Sequence, residues 1–250
     1  MDCKEILKKL AIDHTSSSTT IALKMIDCAV DMFGDDKLVL LVEEIAKKQR
    51  SMAVVVNVAD RIISSNSKEE LVELKNEFIK AEEKAVGQAF EHLKRYNFIA
   101  TISYSKSVYE TILRIRPKKV FVSIGHPARE GELLAEDLLG EKIDVLLFED
   151  AAYGVVADEV DCFLVGADAM LDDVFVNKIG SLYLALLARE FKKPFFVVTN
   201  RFKRLEGPLK KLYEIRQMDK NEISRLECDR LNQYFEYVPL RFVDRLFDGG

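Results

Sequence analysis

The chain has 250 residues, with 37 Lys and Arg against 42 Asp and Glu, a formal charge of -5 and no Trp. That length allows one or two domains, and 48% hydrophobic content is enough for a core that needs neither disulfides nor metal. The acidic balance excludes the net basic field that holds nucleic acid, so no DNA partner is expected. Apolar runs at 38–42, 52–56 and 182–188 are far shorter than the roughly 20 residues that cross a bilayer, so no membrane partner is expected and the protein reads as soluble. The start Met1-Asp2-Cys3-Lys4-Glu5 lacks the basic residues and apolar core of a secretory signal, which points to the cytoplasm. Cys3, Cys28, Cys162 and Cys228 lie far apart without CxxC spacing and the three histidines are scattered; no metal site is indicated, and buried free thiols are expected.

No proline precedes Pro117, and only Gly34 and Gly87 among eleven glycines precede position 100, so the first hundred residues lack the usual chain breakers. They read as helices. Ile21, Met25, Cys28 and Met32 mark one, capped within Ser16-Ser17-Ser18-Thr19. Met52, Val55, Val56, Ala59, Ile62 and Ile63 recur at three- and four-residue intervals and mark another. Ser67 and Glu70 have capping-box spacing before Leu71, Leu74, Phe78, Ala81 and Ala85, which predicts a third. Residues 1–95 are thus expected to form an N-terminal helical domain.

Beyond about residue 95 the rhythm becomes short apolar runs separated by helical stretches. The runs are Phe98 to Ile102, Val120 to Ile124, Ile143 to Phe148, Cys162 to Val165, Phe195 to Thr199 and Tyr234 to Val238. Runs apolar on both faces, alternating with helices, indicate a mainly parallel sheet covered on both sides. Residues 96–250 therefore read as a Rossmann-like, doubly wound α/β domain. The aromatic pairs Phe195-Phe196 and Tyr234-Phe235 offer an apolar surface for a dimer, or else core filling.

Ligands of such sheets bind beyond the carboxyl ends of the strands. The loops to inspect are Ser103 to Ser107, Gly125 to Gly131, Glu149 to Ala152, Gly166 to Asp168 and Thr199 to Lys203. None is a GxGxxG or GxxxxGK[ST] loop, so neither a nicotinamide cofactor nor a nucleoside triphosphate is indicated, and no cofactor is expected. Asp168 follows a buried run and two small residues, where desolvation can raise a carboxyl pKa toward acid-base use. Asn177-Lys178-Ile179-Gly180 reads as the opening of the helix that carries Leu182, Leu184, Leu186 and Leu187. A lysine there opposes the helix dipole and needs an anion, either a ligand phosphate or Asp168.

Val165-Gly166-Ala167-Asp168, then Val176-Asn177-Lys178-Ile179-Gly180, then Lys193 to Val198 together resemble the signature of the translation initiation factor 2B alpha/beta/delta family, and Tyr234 to Pro239 fits its C-terminal pattern. That family also holds methylthioribose-1-phosphate and ribose-1,5-bisphosphate isomerases, and a helical domain before a Rossmann-like one is its architecture. The resemblance implies an isomerase aspartate at Asp168, but the cysteine position falls on Ser103. A thiol with a reference pKa of about 8.5 supplies a base at neutral pH after modest tuning, whereas an unassisted hydroxyl does not. Tyr104-Ser105 resembles the regulatory alpha subunits instead. The family arginine of Ser-Arg-Pro is His126 here, ahead of Glu130-Gly131, and a neutral imidazole lacks the bidentate fork that grips phosphate. Arg129 is the nearest substitute.

Arg50 and Lys203 match ligand-facing positions, and Ser105, Lys106 and Ser107 match a phosphate-side loop. The resemblance implies a nonenzymatic regulatory-subunit-like protein that keeps a pocket for a phosphorylated sugar or nucleotide. Its expected state is a homodimer or larger assembly, with translation initiation factor 2 subunits as partners. The alternative is a sugar-phosphate aldose-ketose isomerase in which Asp168 is the acid.

Overall fold

In the computed structural model, which describes residues 2–13 and 17–250, helices fill the chain up to Leu93 and strands alternate with helices from Phe98 onward. The helices are α1 (Cys3–Leu10), α2 (Ser18–Asp31), α3 (Leu38–Lys48), α4 (Ala53–Ile63) and α5 (Lys68–Leu93). Local chemistry sets their starts. Ser17 caps α2 by accepting from the Thr20 N–H at 3.2 Å; Ser16, the first residue of that run, lies outside the described residues. At α5, Ser67 Oγ accepts from the Glu70 N–H, while the Glu70 carboxylate reaches back one residue further than a capping box requires, to the Asn66 N–H.

Two units divide the contacts. The first comprises Met1–Ala81, Asp168–Asp172 and Arg201–Glu214, and the second Glu82–Ala167, Asp173–Asn200 and Ile215–Gly250. The division falls inside α5. In the first unit Leu7, Ile21, Met25, Val42, Val55, Leu74 and Phe78 share one buried cluster that Phe202 joins. The short strand β5 (Ala169–Met170) bridges Arg204 in parallel, and the Leu205 N–H donates to the Met170 carbonyl, which lays the two late segments side by side. The α4 helix packs on both, with Asn57 donating to the Arg204 carbonyl at 2.8 Å.

The second unit is a six-stranded parallel sheet in the order β3-β2-β1-β4-β7-β9, built from β1 (Phe98–Thr101), β2 (Lys119–Ser123), β3 (Val145–Phe148), β4 (Cys162–Val165), β7 (Phe195–Val198) and β9 (Arg245–Phe247). Strand order reverses between β1 and β4. Helices α6 (Lys106–Ile115), α7 (Glu130–Gly140), α8 (Tyr153–Val156) and α9 (Ser181–Glu190) link the strands. Ile99, Val120, Val122, Leu164 and Val198 form one core with Val108 and Ile112 of α6 and Leu134 and Leu138 of α7. Each such side chain contributes about 1.5–3 kcal/mol by leaving water.

Four expectations need correction. Tyr234 to Val238 does not enter the parallel sheet: β8 (Phe235–Pro239) pairs antiparallel with β6 (Val174–Lys178), where Phe175 faces Val238 and Asn177 faces Glu236. Asn177 and Lys178 therefore end a strand, and α9 begins only at Ser181. Phe195 and Phe196 are buried within β7 and supply no interface. Of the thiols, Cys28 and Cys162 are buried, but Cys3 is half-buried and Cys228 exposed.

Candidate functional site at the carboxyl edge of the parallel sheet

The loops that leave β1, β2, β3 and β4 gather the polar residues of the second unit. Ser103 follows β1 in the left-handed region at φ 64°, half-buried. Ser105 is the N-cap residue of α6 and makes no side-chain cap bond. Gly166, after β4, has Ser105 so close that an added Cβ would lie 2.5 Å from Ser105 Oγ, with Asn177 Oδ1 at 3.8 Å. Glycine is what permits this approach, so Ser105, Gly166 and Asn177 converge at the switch point of the sheet. Thr199 Oγ1 donates to the Ala167 carbonyl at 3.3 Å and steadies the same loop. Asn177 donates to Ser181 Oγ at 2.8 Å, and Ser181 in turn to the Lys178 carbonyl at 2.7 Å.

Ser107 and Lys106 take different roles. Ser107 is buried and spends its hydroxyl proton on Glu82 at 2.5 Å, while the other Glu82 oxygen accepts from Asn200 at 3.1 Å. Glu82 thereby ties the first turn of α6 to the end of β7. Lys106 is exposed and lies 3.6 Å from Glu110.

Lys178 is only 1% exposed, and its ammonium meets Glu130 Oε2 at 2.6 Å beneath the Tyr234 ring, 4.7 Å from the centroid. The anion that this lysine requires is thus Glu130, at the start of α7. Tyr234 is fixed by donating to Glu222 at 2.8 Å; burial first, and that hydrogen bond second, push its phenol up to about 12. The dipole of α9 is met by Glu236, whose Oε1 accepts from the Gly180 and Leu182 N–H groups at 2.7 and 2.9 Å.

His126 follows β2, and its peptide bond to Pro127 is cis. Asp150, after β3, accepts from the Gly125 and His126 N–H groups, both at 2.7 Å, and contacts His126 Nδ1 at 3.1 Å. Burial raises the Asp150 carboxyl, but hydrogen bonds from Ser123, these two N–H groups and the imidazole outweigh it and hold the group below the usual carboxylate range. Ser123 is itself contacted by the buried Tyr153 hydroxyl at 3.0 Å, which donates to the Thr101 carbonyl at 2.6 Å. Arg129 turns to its own helix, with Nε 2.7 Å and Nη2 2.5 Å from the Glu132 carboxylate, and Nη1 3.5 Å from His126 Nε2.

Arg50, Asp168 and Lys203 belong to the first unit. Arg50 is exposed in the turn before α4, beside Gln49, which is buried and donates to the carbonyls of Leu10 and Asp13. Asp168 and Lys203 are half-buried in the two adjoining late segments on which α4 packs. Sequence reasoning gave no site role to Glu82, Asp150 or Glu236, and gave Tyr234 only a place in an apolar pair. Asp150 alone carried a signal, as a carboxylate directly past a strand; Glu82 depends on partners 25 and 118 positions away, and Tyr234 and Glu236 on the pairing of the strand that they precede or belong to.

A doubly wound sheet with polar loops at its switch point is the arrangement at which α/β proteins in general bind their ligands. The chain belongs to the initiation factor 2 subunit family, whose model matches residues 3–247. It is similar to the ribose 1,5-bisphosphate isomerase of Methanocaldococcus jannaschii, at 30% identity over 77% of this chain and 68% of the relative. A putative translation initiation factor eIF-2B subunit 2-like protein of Pyrococcus furiosus is 29% identical over 84% of this chain and 78% of its own length. The fold matches the crystal structure of Pyrococcus horikoshii translation initiation factor eIF-2B with a TM-score of 0.83 and 24% identity, covering 99% of this chain and 94% of that one.

Proposed function

We propose that this chain is a regulatory-subunit-like member of its family that binds a phosphorylated sugar or nucleotide at the carboxyl edge of the parallel sheet, without the thiol-dependent isomerase step. The observation that carries this reading is Ser103. Among the described residues no imidazole or carboxylate hydrogen-bonds its hydroxyl, so nothing makes it a base. Loss of an effective general base removes about 10²- to 10⁴-fold of rate. Ser105 and Asn177 still converge on Gly166 at the switch point, which supports binding without turnover. Asp168, Arg50 and Lys203 are proposed as ligand-binding positions of the first unit on the family resemblance alone.

Assembly is the route by which such a protein would act: a cytoplasmic homodimer or larger assembly that engages translation initiation factor 2 subunits. Supporting it, β3 is an edge strand with Leu146 and Leu147 exposed, next to exposed Leu133 and Leu139 on α7. Unprotected apolar edges are normally covered by a partner. Sedimentation equilibrium at micromolar concentration should give at least twice the monomer mass; a clean monomer would sink the assembly.

The second reading, a sugar-phosphate aldose-ketose isomerase, is favoured by the isomerase relative and by the presence of Asp168, Asn177 and Lys178. One assay separates the two. Wild type should bind ribose 5-phosphate in calorimetry yet convert ribose-1,5-bisphosphate no faster than a heat-killed control. Ser103→Cys should gain little, because His126 still occupies the arginine position. Turnover at an ordinary enzymatic rate, abolished by Asp168→Asn, would establish the isomerase instead.

A further inference from the structure

The Gly125 to Arg129 loop holds a histidine and an arginine with nitrogens aimed at one another. His126 Nε2 and Arg129 Nη1 are 3.5 Å apart, and the two side chains are 47% and 51% exposed. Their opposite sides are already engaged. An ionised carboxylate only accepts, so Asp150 fixes the imidazole proton on Nδ1 and leaves Nε2 as the variable atom. Glu132 takes Nε and Nη2 of Arg129, which leaves Nη1 as the guanidinium nitrogen turned toward the ring. The charged groups around the imidazole are Asp150 and Glu149 from the β3 end, the latter at 3.8 Å, and Arg129 and Glu132 from α7.

We propose that His126 and Arg129 form a proton-gated clamp for a tetrahedral oxyanion, the phosphate of the ligand assigned above. With the ring neutral, the Nε2 lone pair accepts from Arg129 Nη1 and the pair closes on itself. With the ring protonated, two N–H donors face each other at 3.5 Å, a repulsive arrangement until an anion oxygen bridges them. Proton and anion therefore bind together. The three nearby carboxylates, Asp150, Glu149 and Glu132, oppose an anion that arrives without the proton. An arginine at position 126 would bind without a gate, whereas a histidine carries the charge only in its protonated form. By linkage, the anion must raise the proton affinity of the ring by the same factor as the proton raises anion affinity.

This inference rests on the phosphorylated-ligand reading, and its test separates the two. Sulfate is the probe, because it remains a dianion across the range, and ribose 5-phosphate is run in parallel. Calorimetry in buffers of different ionisation enthalpy should show sulfate binding about tenfold tighter at pH 6 than at pH 8, with uptake of a substantial fraction of a proton near pH 7. His126→Gln and Arg129→Gln should lose the low-pH gain, while His126→Arg should bind sulfate with little pH dependence. These residues are half-exposed, so the variants should fold, which circular dichroism checks. Binding of ribose 5-phosphate without pH dependence or proton uptake would overturn the clamp and leave the pocket standing. Proton-linked sulfate binding with no ribose 5-phosphate binding would keep the clamp and overturn the pocket. No binding of either probe at any pH would overturn both.

Discussion

Removing Glu130 should expose how far the second unit depends on one buried ion pair. Lys178 is 1% exposed and its ammonium is 2.6 Å from a carboxylate that is itself 26% exposed. Breaking a buried pair by deleting one partner costs about 3–5 kcal/mol, because the remaining charge has lost its compensation. Glu130 is a quarter exposed, and water can reach part of the space it leaves, so Glu130→Gln is expected at or just below that range, about 2–3 kcal/mol. At roughly 2–4 °C per kcal/mol for a chain of this size, the melting temperature should fall by about 5–10 °C. Lys178→Met should cost less. The thioether packs under the Tyr234 ring, and Glu130 can turn to solvent. In the double variant both charges are gone, and stability should return to within about 1 kcal/mol of wild type, since an apolar replacement of a buried pair is often neutral. The assay is thermal and urea unfolding of all four proteins at one protein concentration, read as a double-mutant cycle. A Glu130→Gln variant within about 0.5 kcal/mol of wild type, or strictly additive effects, would refute the reasoning.

Three further outcomes follow from particular contacts. In Gly131→Ala, at the start of α7, the new Cβ would lie 1.8 Å from the Ser123 carbonyl oxygen; the helix must shift, and a loss of at least about 1–3 kcal/mol in unfolding free energy is expected. Asp150 has a lowered pKa, so its contribution is fully present above the unfolded value of about 3.9 and is lost as pH falls through the lower folded value. Asp150→Asn should therefore be less stable at pH 6 and lose less on acidification below pH 4, measured by unfolding across that range; an unchanged acid limb would contradict the assigned hydrogen bonds. Ser17→Ala removes the cap of α2 and should cost about 1 kcal/mol in the same assay, while Ser17→Gly should cost only a few tenths.

Patterns that close within one turn of chain were legible in the residues themselves. The three- and four-residue spacing of Met52, Val55, Val56, Ala59 and Ile62 could satisfy its backbone and hide its apolar stripe only as a helix, and α4 is that helix. Ser67 could cap α5 because the N–H that its hydroxyl oxygen accepts from lies three residues away. The runs at β1, β2, β4 and β7 could be told as strands covered on both sides because each side of each run is apolar, whereas the equally apolar β3 lies at the sheet edge with Leu146 and Leu147 exposed, a difference set by strand order. A strand's partner and direction are different: they are set by hydrogen bonds to residues far along the chain, and the local pattern is the same either way. Tyr234 to Val238 therefore read like another parallel strand, and only its pairing with Val174–Lys178 made it antiparallel. That pairing moved Lys178 from a helix start to a strand end, placed Glu236 over the first turn of α9, and left Lys178 to Glu130, 48 positions earlier. The same holds for Asp150 and His126, and for Glu82 with Ser107 and Asn200. The sequence determined which residue types stand at the ends of the strands, because each strand announces itself locally. Only the tertiary structure decided which of those charges neutralise one another, because charge pairing follows strand order and register, and no short stretch of chain contains them.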